Sequence, residues 1–235
     1  MIRVTIWNEY IHEREIPEIT AVYPDGIHKQ IGSFVGLDED LKIRYATLQD
    51  PEQGLSDEIL DNTDVLIYWA HCAHEEVSDE AAVRIADHVL KGMGFIGLHS
   101  AHFCKALKKL LGTSMTLTWK DDDSERLYVT CPSHPIAAGI PEVIELPNEE
   151  LYGEYFDIPK PDDVIFTGWF KSGAVFRSGV TFTRGNGRIF YFQPGHEAYP
   201  IYYNPDIQQI IRNAVHWAAP SSLLVNPRDN IQLVL

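Results

Sequence analysis

Gly94-Phe95-Ile96-Gly97-Leu98-His99-Ser100-Ala101-His102 is the stretch that decides how this 235-residue chain is read. Five residues from Gly94 to Leu98 form a short apolar run, and the chain leaves it directly into a turn bearing two histidines. Around it, short apolar runs alternate with amphipathic stretches throughout the first 112 residues. That alternation is the signature of a parallel sheet covered by helices.

Residues 2–7, 42–47 and 64–69 read as three further strands of the same sheet. Ser78 is a helix N-cap, with Asp79 and Glu80 placed to complement the helix dipole. The helix that follows carries Ala82, Ile85, Ala86 and Val89 along one side and stops at Gly92 or Gly94. A second helix has Phe103, Ala106, Leu107, Leu110 and Leu111 as its stripe and ends at Gly112. Beyond it the pattern changes to strands over residues 127–131, 143–146 and 164–170, separated by turns. Residues 175–183 and 188–193 flank Arg184-Gly185-Asn186-Gly187, a hairpin signal. Asn204 and Pro205 open a last helix as N-cap and first helical residue, burying Ile207, Ile210, Ile211, Val215 and Trp217. The expectation is an α/β chain with a mostly parallel central sheet and antiparallel additions in its second half. One domain spans residues 1–220, with a tail at 221–235 that packs on the domain or on a neighbouring subunit.

Composition sets limits on partners. With 34 acidic against 19 basic residues the formal charge is −15, which repels phosphate backbones and anionic membranes and argues against a nucleic-acid partner. No run reaches the length of about 18 apolar residues needed to span a membrane. Cys72, Cys104 and Cys131 lack CxxC spacing and leave an odd thiol, a pattern of reducing compartments. The first residues begin a strand with no secretory pattern, so the expected location is cytoplasmic. The apolar end, residues 231–235, suits burial against another copy, and a homo-oligomer is expected.

The chemistry gathers in histidines. His12 follows the first strand, His71 and His74 the third, His99 and His102 the fourth, and His196 a late one. In open parallel sheets ligands bind outside the carboxyl ends of the strands, where strand order reverses. Imidazoles gathered there serve either as ligands of zinc or another divalent metal or as proton carriers. Neither His71-x-x-His74 nor His99-x-x-His102 has the helical spacing of a zinc motif, so a metal site would be assembled from distant turns. Glu9, Glu75, Glu154 and Glu197 are the carboxylates that could join. Residues 148–157, Asn-Glu-Glu-Leu-Tyr-Gly-Glu-Tyr-Phe-Asp, alternate acids with aromatics. Such a run suits a carbohydrate pocket or a solvated acidic loop.

Several segments carry a family resemblance. Trp7-Asn8-Glu9-Tyr10-Ile11-His12-Glu13, Tyr23-Pro24-Asp25-Gly26-Ile27-His28, residues 64–71, residues 94–101 and residues 187–196 together resemble the ThuA-like (trehalose utilisation) family. That family lies within the class I glutamine amidotransferase-like superfamily, and the resemblance covers roughly residues 1–219. It implies a flavodoxin-like three-layer sandwich and a role in using trehalose or a related disaccharide, including an oxidised keto-sugar. Where amidotransferases place their nucleophilic cysteine, after a strand in a run like Gly-Ile-Cys-Leu-Gly-His, this chain has His99. Glutamine hydrolysis is therefore not expected, because no thiol stands ready for His196 to activate. Ser100 comes one residue late, and the run is not G-x-S-x-G.

The resemblance matches His12, His99 and His196 to functional positions, with an acid such as Glu154. The leading expectation is a sugar-processing enzyme, a metal-dependent hydrolase or isomerase. In it His12, His99 and His196 bind a divalent metal, zinc first, with His99, His196 and Glu154 carrying the chemistry. The same residues could work without metal as acid and base. His71, His74, Ser100, His102 and Tyr152 would contact a small carbohydrate substrate. The alternative is a non-catalytic sugar-binding or regulatory protein that keeps the pocket without the nucleophile.

Overall fold

The computed structural model describes residues 1–220. In chain order it contains β1 (Ile2–Asn8), α1 (His12–Glu15), α2 (Pro17–Val22), α3 (Ile27–Val35), β2 (Leu41–Thr47), α4 (Asp57–Asp61), β3 (Val65–Trp69), α5 (Asp79–Lys91), β4 (Gly94–Leu98) and α6 (Lys105–Leu111). The second half adds β5 (Thr118–Val129), β6 (Val143–Gly153), β7 (Asp163–Phe170), β8 (Val175–Arg184), β9 (Gly187–Phe192) and α7 (Pro205–Ala218). All nine strands join one sheet in the order β2-β1-β3-β4-β9-β8-β7-β5-β6. From β2 to β9 the pairing is parallel, and from β9 to β6 it is antiparallel. The expected mostly parallel sheet with antiparallel additions is therefore present.

Alternation along the central strands divides the core into two layers. Val4 and Ile6 of β1, Val65 and Ile67 of β3, and Ile96 and Leu98 of β4 face α3 and α7, meeting Ile27, Ile31, Ile207, Ile210 and Val215. Trp7, Leu66, Tyr68 and Phe95 face the other way, onto Ala82, Ile85 and Val89 of α5 and Leu107 of α6. The result is a three-layer sandwich. Ser78 caps α5 by accepting from the Ala81 N–H, and Asn204 caps α7 by accepting from Asp206 and Ile207. Trp217 is only partly buried, because it sits at the rim beside His134 and under Arg188.

Two strands are longer than the sequence predicts. β5 starts at Thr118, nine residues before the expected position 127, and takes in the charged run Lys120-Asp121-Asp122-Asp123. β6 passes through Pro147 and continues to Gly153. It ends the sheet, and an edge strand tolerates a residue with no N–H to donate. The register between β5 and β6 shifts twice, between Lys120 and Asp123 and again before Glu125. Such irregularities bend a strand and redirect its side chains. The tail at 221–235, with the apolar end on which self-association was expected, lies outside the described residues. Among the described residues no helix is long and apolar enough to cross a membrane.

One buried acid lies inside the antiparallel half. Glu125 of β5 is 1% exposed; one carboxyl oxygen accepts from the Ser178 hydroxyl at 2.7 Å and the other has no partner. Burial pushes Glu125 up to about 8, with the Ser178 hydrogen bond pulling the other way. Its proton is held by the folded chain and released by the unfolded one between the ordinary value of 4.5 and about 8. Stability from this group is therefore fully present below 4.5 and is lost as pH rises toward 8. Urea unfolding across pH 5 to 9 should show wild type losing up to about 1.4 kcal/mol per pH unit more than Glu125→Gln. Parallel pH profiles would show the acid to be ionised in the folded chain.

Candidate functional site

Parallel strands end on one edge of a sheet, and this one reverses direction at β1, which has β2 on one side and β3 on the other. The crevice beyond the carboxyl ends is the natural ligand position. There the chain presents His12 after β1, His71 after β3, His99 after β4, and His196 with Glu197 after β9. His99 stands at the sharpest of these exits, with a positive φ of 53°. That left-handed conformation is uncommon outside glycine, although histidine is among the residues that adopt it more readily. His99 thus occupies an elbow of the kind that raises a nucleophile at the end of a strand, with an imidazole in place of the thiol.

The fully buried His99 is held on both sides. Its Nδ1–H donates to the Gln193 carbonyl at 3.1 Å, and the Tyr191 hydroxyl donates to its own carbonyl at 2.9 Å. The ring stacks parallel to His71, with centroids 5.6 Å apart, and against Tyr152 at 5.2 Å. With Nδ1 protonated, the neutral ring turns a lone pair on Nε2 toward Glu150. Glu150 Oε2 lies 3.1 Å from that nitrogen without the alignment of a hydrogen bond, and it is buried with no donor among the described residues. Glu197 has the same property. Its Oε1 accepts from His12 Nδ1 at 2.7 Å, while its buried Oε2 has no partner and faces His71 Nδ1 at 3.5 Å.

Two groups follow from this geometry. His71, His99, Glu150 and His196 bring potential ligand atoms within 4.8 Å of one another, and so do His12, His71 and Glu197. Ligands bound to one zinc ion at about 2.0–2.2 Å are separated by roughly 3–3.5 Å. The 3.1 Å between His99 Nε2 and Glu150 Oε2 matches that edge. The residues present therefore fit a divalent cation.

Electrostatics set the histidines apart. Burial alone would lower His99, but the Glu150 carboxylate, with the charges of Glu149 and Glu197 behind it, outweighs burial and raises it. Burial would raise Glu150, and His99 instead holds it below the ordinary range. His71 is lowered to about 4 by burial, against the pull of Glu197, and burial lowers His102 to about 3. Burial likewise lowers His196, helped by His99. Glu197, despite its burial, is brought down to about 2 by the His12 hydrogen bond and by His71.

The expected site residues divide between these places. His99 and His196 share the first group with His71, whereas His12 joins only the second, so the expected trio of His12, His99 and His196 does not form one set. Glu154 is not brought to the histidines. Its carboxylate forms a two-pronged pair with Arg177, at 2.7 and 2.8 Å, and accepts the Phe156 N–H. Glu150 takes the position foreseen for it. Ser100 bridges Tyr152 and His71, at 2.7 and 3.2 Å. His102 donates Nδ1–H to the Met115 carbonyl at 2.8 Å, which leaves its Nε2 as an acceptor. His71, Ser100, His102, Tyr152 and Glu150 line one cavity of about 290 Å³. His74 is buried against Phe103, with neither ring nitrogen partnered, and lies outside that lining. Glu75 is at the surface beside Lys105. Period-two alternation over residues 148–153 pairs Glu150 with Tyr152 on one face, so Glu150 was within reach of a strand reading of that run.

Known proteins agree with this architecture. A ThuA-like protein from Parabacteroides merdae superimposes with a TM-score of 0.66 at 17% identity, covering 92% of this chain and 89% of that one. A Salmonella typhimurium protein described as cytoplasmic gives 0.60 at 15%, over 94% and 100%. PurLQS from Thermotoga maritima gives 0.53 at 15%, over 92% and 98%. At these identities the likeness shows the fold: an amidotransferase-like α/β sandwich. No curated protein matches the chain. The trehalose-utilisation (ThuA) family profile matches residues 3–218, and the chain belongs to that family.

Carboxylates also fix the turns that present the histidines. Glu149 accepts from the Gly195 and His196 N–H groups at 2.8 and 3.3 Å, tying the exit of β9 to β6. Glu9 accepts from Cys72 and Ala73 N–H, both at 2.9 Å, and so holds the turn that begins at His71. Glu9→Ala strands both donors, and a buried unsatisfied group costs about 1–3 kcal/mol. Thermal unfolding should show Glu9→Ala destabilised by about 2 kcal/mol, and Cys72→Ala by far less. Equal losses in the two variants would refute this role.

Proposed function

We propose that this chain is a carbohydrate-processing enzyme in which His71, His99, Glu150 and His196 hold one divalent cation, zinc by the character of the ligands. The observation that carries the reading is the buried, donorless Oε2 of Glu150 set 3.1 Å from the Nε2 of His99. A carboxylate is rarely buried without compensation, and a cation between the two atoms would satisfy both. Membership of the trehalose-utilisation family supports a role in carbohydrate use generally, with trehalose, a related disaccharide or a keto derivative as substrate.

A cation bound there would supply Lewis acidity toward a sugar oxygen. The chain's own groups do the rest. Glu197 fixes the His12 ring and lends its charge to His71. Ser100 and Tyr152 form a hydroxyl pair beside His99. The free Nε2 of His102 can accept a proton or a hydrogen bond from a sugar hydroxyl. These roles serve a hydrolase and an isomerase equally. The imidazoles of His71 and His102 in the cavity lining favour an enzyme, because they offer proton-transfer or ligand groups beyond what holding a sugar requires.

One observation favours a metal-free variant of the reading. The Ala198 N–H donates to His196 Nδ1 at 3.1 Å, so the neutral ring carries its proton on Nε2 and acts as a donor. His196 would then be the acid and the His99–Glu150 pair its counterpart around an enolisable keto-sugar. Metal analysis of tag-free protein separates the two. Stoichiometric zinc that disappears in His99→Ala and falls in Glu150→Gln is the expected result. Metal-free protein that turns over trehalose or its keto derivatives at full rate would sink the metal reading and leave the acid–base one.

A further inference from the structure

Phe103 aside, the lining of the 290 Å³ cavity contains two residues that the proposed chemistry does not use, Trp119 and Asp121. Both lie on β5. Trp119 pairs directly with Tyr152 of β6, and directly opposed residues of an antiparallel pair project from the same face. Tyr152 packs on His99, so the register carries the indole over the same cavity. Asp121 falls where the register shifts between Lys120 and Asp123. It borders the cavity beside Glu150, and its charge reaches His196.

Trp119 is 61% exposed, so it contributes little to the core. Trp169 and Tyr155 are comparably exposed, but neither lines this cavity. A broad aromatic face above a floor of hydroxyl, imidazole and carboxylate groups has the two-sided character of a pyranose. That ring offers C–H groups on its face and hydroxyls at its rim. The cavity is at the small end of the range of roughly 300–1,000 Å³ for small-molecule sites, which suits one ring and not two.

We propose that Trp119 and Asp121 form the subsite that seats a single pyranose ring against the histidine cluster. Trp119 stacks on the face of the ring, and Asp121 accepts hydrogen bonds from its hydroxyls. This assignment rests on the carbohydrate reading above and adds which residues select the sugar. Both are specificity residues, and the groups around His99 are untouched by their replacement.

The test is calorimetric titration of the full-length chain with trehalose and with glucose, in wild type, Trp119→Ala, Trp119→Phe and Asp121→Asn, with metal content measured alongside. The expected result is affinity about tenfold weaker in Trp119→Ala, within about threefold of wild type in Trp119→Phe, and about tenfold weaker in Asp121→Asn. Metal content should stay at the wild-type level in all three. A tryptophan emission change on adding sugar, present in wild type and absent in Trp119→Phe, supports the stacking even if Trp119→Ala folds poorly. Sugar binding in wild type with unchanged affinity in Trp119→Ala overturns the subsite and leaves the carbohydrate reading standing. Wild type that binds neither sugar overturns both.

Discussion

Two carboxylates buried among histidines are the constraint around which this molecule is arranged. An ionised carboxylate removed from water costs several kcal/mol unless charge or hydrogen bonds compensate it. Glu150 and Glu197 are both buried, and each has one oxygen without a donor. Among the described residues neither is paired with lysine or arginine, and the positive partners on offer are imidazoles. Histidine can meet that demand as a cation or as a neutral ligand beside a metal, and few other side chains can do either. The raised His99 and the lowered Glu150 express the first solution, and the spacing of their atoms suits the second.

The fold supplies this arrangement by making two unlike halves converge. The parallel half ends five strands on one edge and turns four of the exits, those of β1, β3, β4 and β9, into histidine-bearing loops. The antiparallel half contributes Glu150 and Tyr152 from its edge strand, tied down where Gln193 donates to the Glu150 carbonyl at 3.0 Å. Amidotransferase-like sheets share the parallel frame. In this chain the elbow at the end of β4 has a left-handed backbone and bears a ring in place of a thiol. The strained position now serves to aim one nitrogen at a carboxylate and the other at a backbone carbonyl.

The parallel half was legible in the sequence, because burial on both faces writes short apolar runs bounded by polar turns. Gly94–Leu98 was delimited correctly, and Ile2–Asn8 and Val65–Trp69 to within one residue at one end. The histidines after those strands were visible for the same reason. The antiparallel half hid its strands. Residues 120–123 are charged and mostly solvent-facing, so pairing with β6 and not hydrophobic pattern makes them extended. Pro147 likewise broke the reading of β6, although an edge strand accommodates it. The position of the acid was hidden in the same way. Residues 148–157 read equally as pocket or loop, only a strand reading singles out Glu150, and the Arg177 that pairs with Glu154 lies 23 positions away in sequence.

The register shift in β5 has a consequence for how such a site can change. The histidines sit on loops at the ends of the parallel strands, whereas Trp119 and Asp121 sit on β5, paired with the edge strand that carries Glu150 and Tyr152. Inserting or deleting a residue at the irregular step between Lys120 and Asp123 would rotate the wall above the cavity and leave the histidines in place. Under the proposed reading, the residues that would hold the sugar ring and the imidazoles beneath it thus belong to separate pieces of chain.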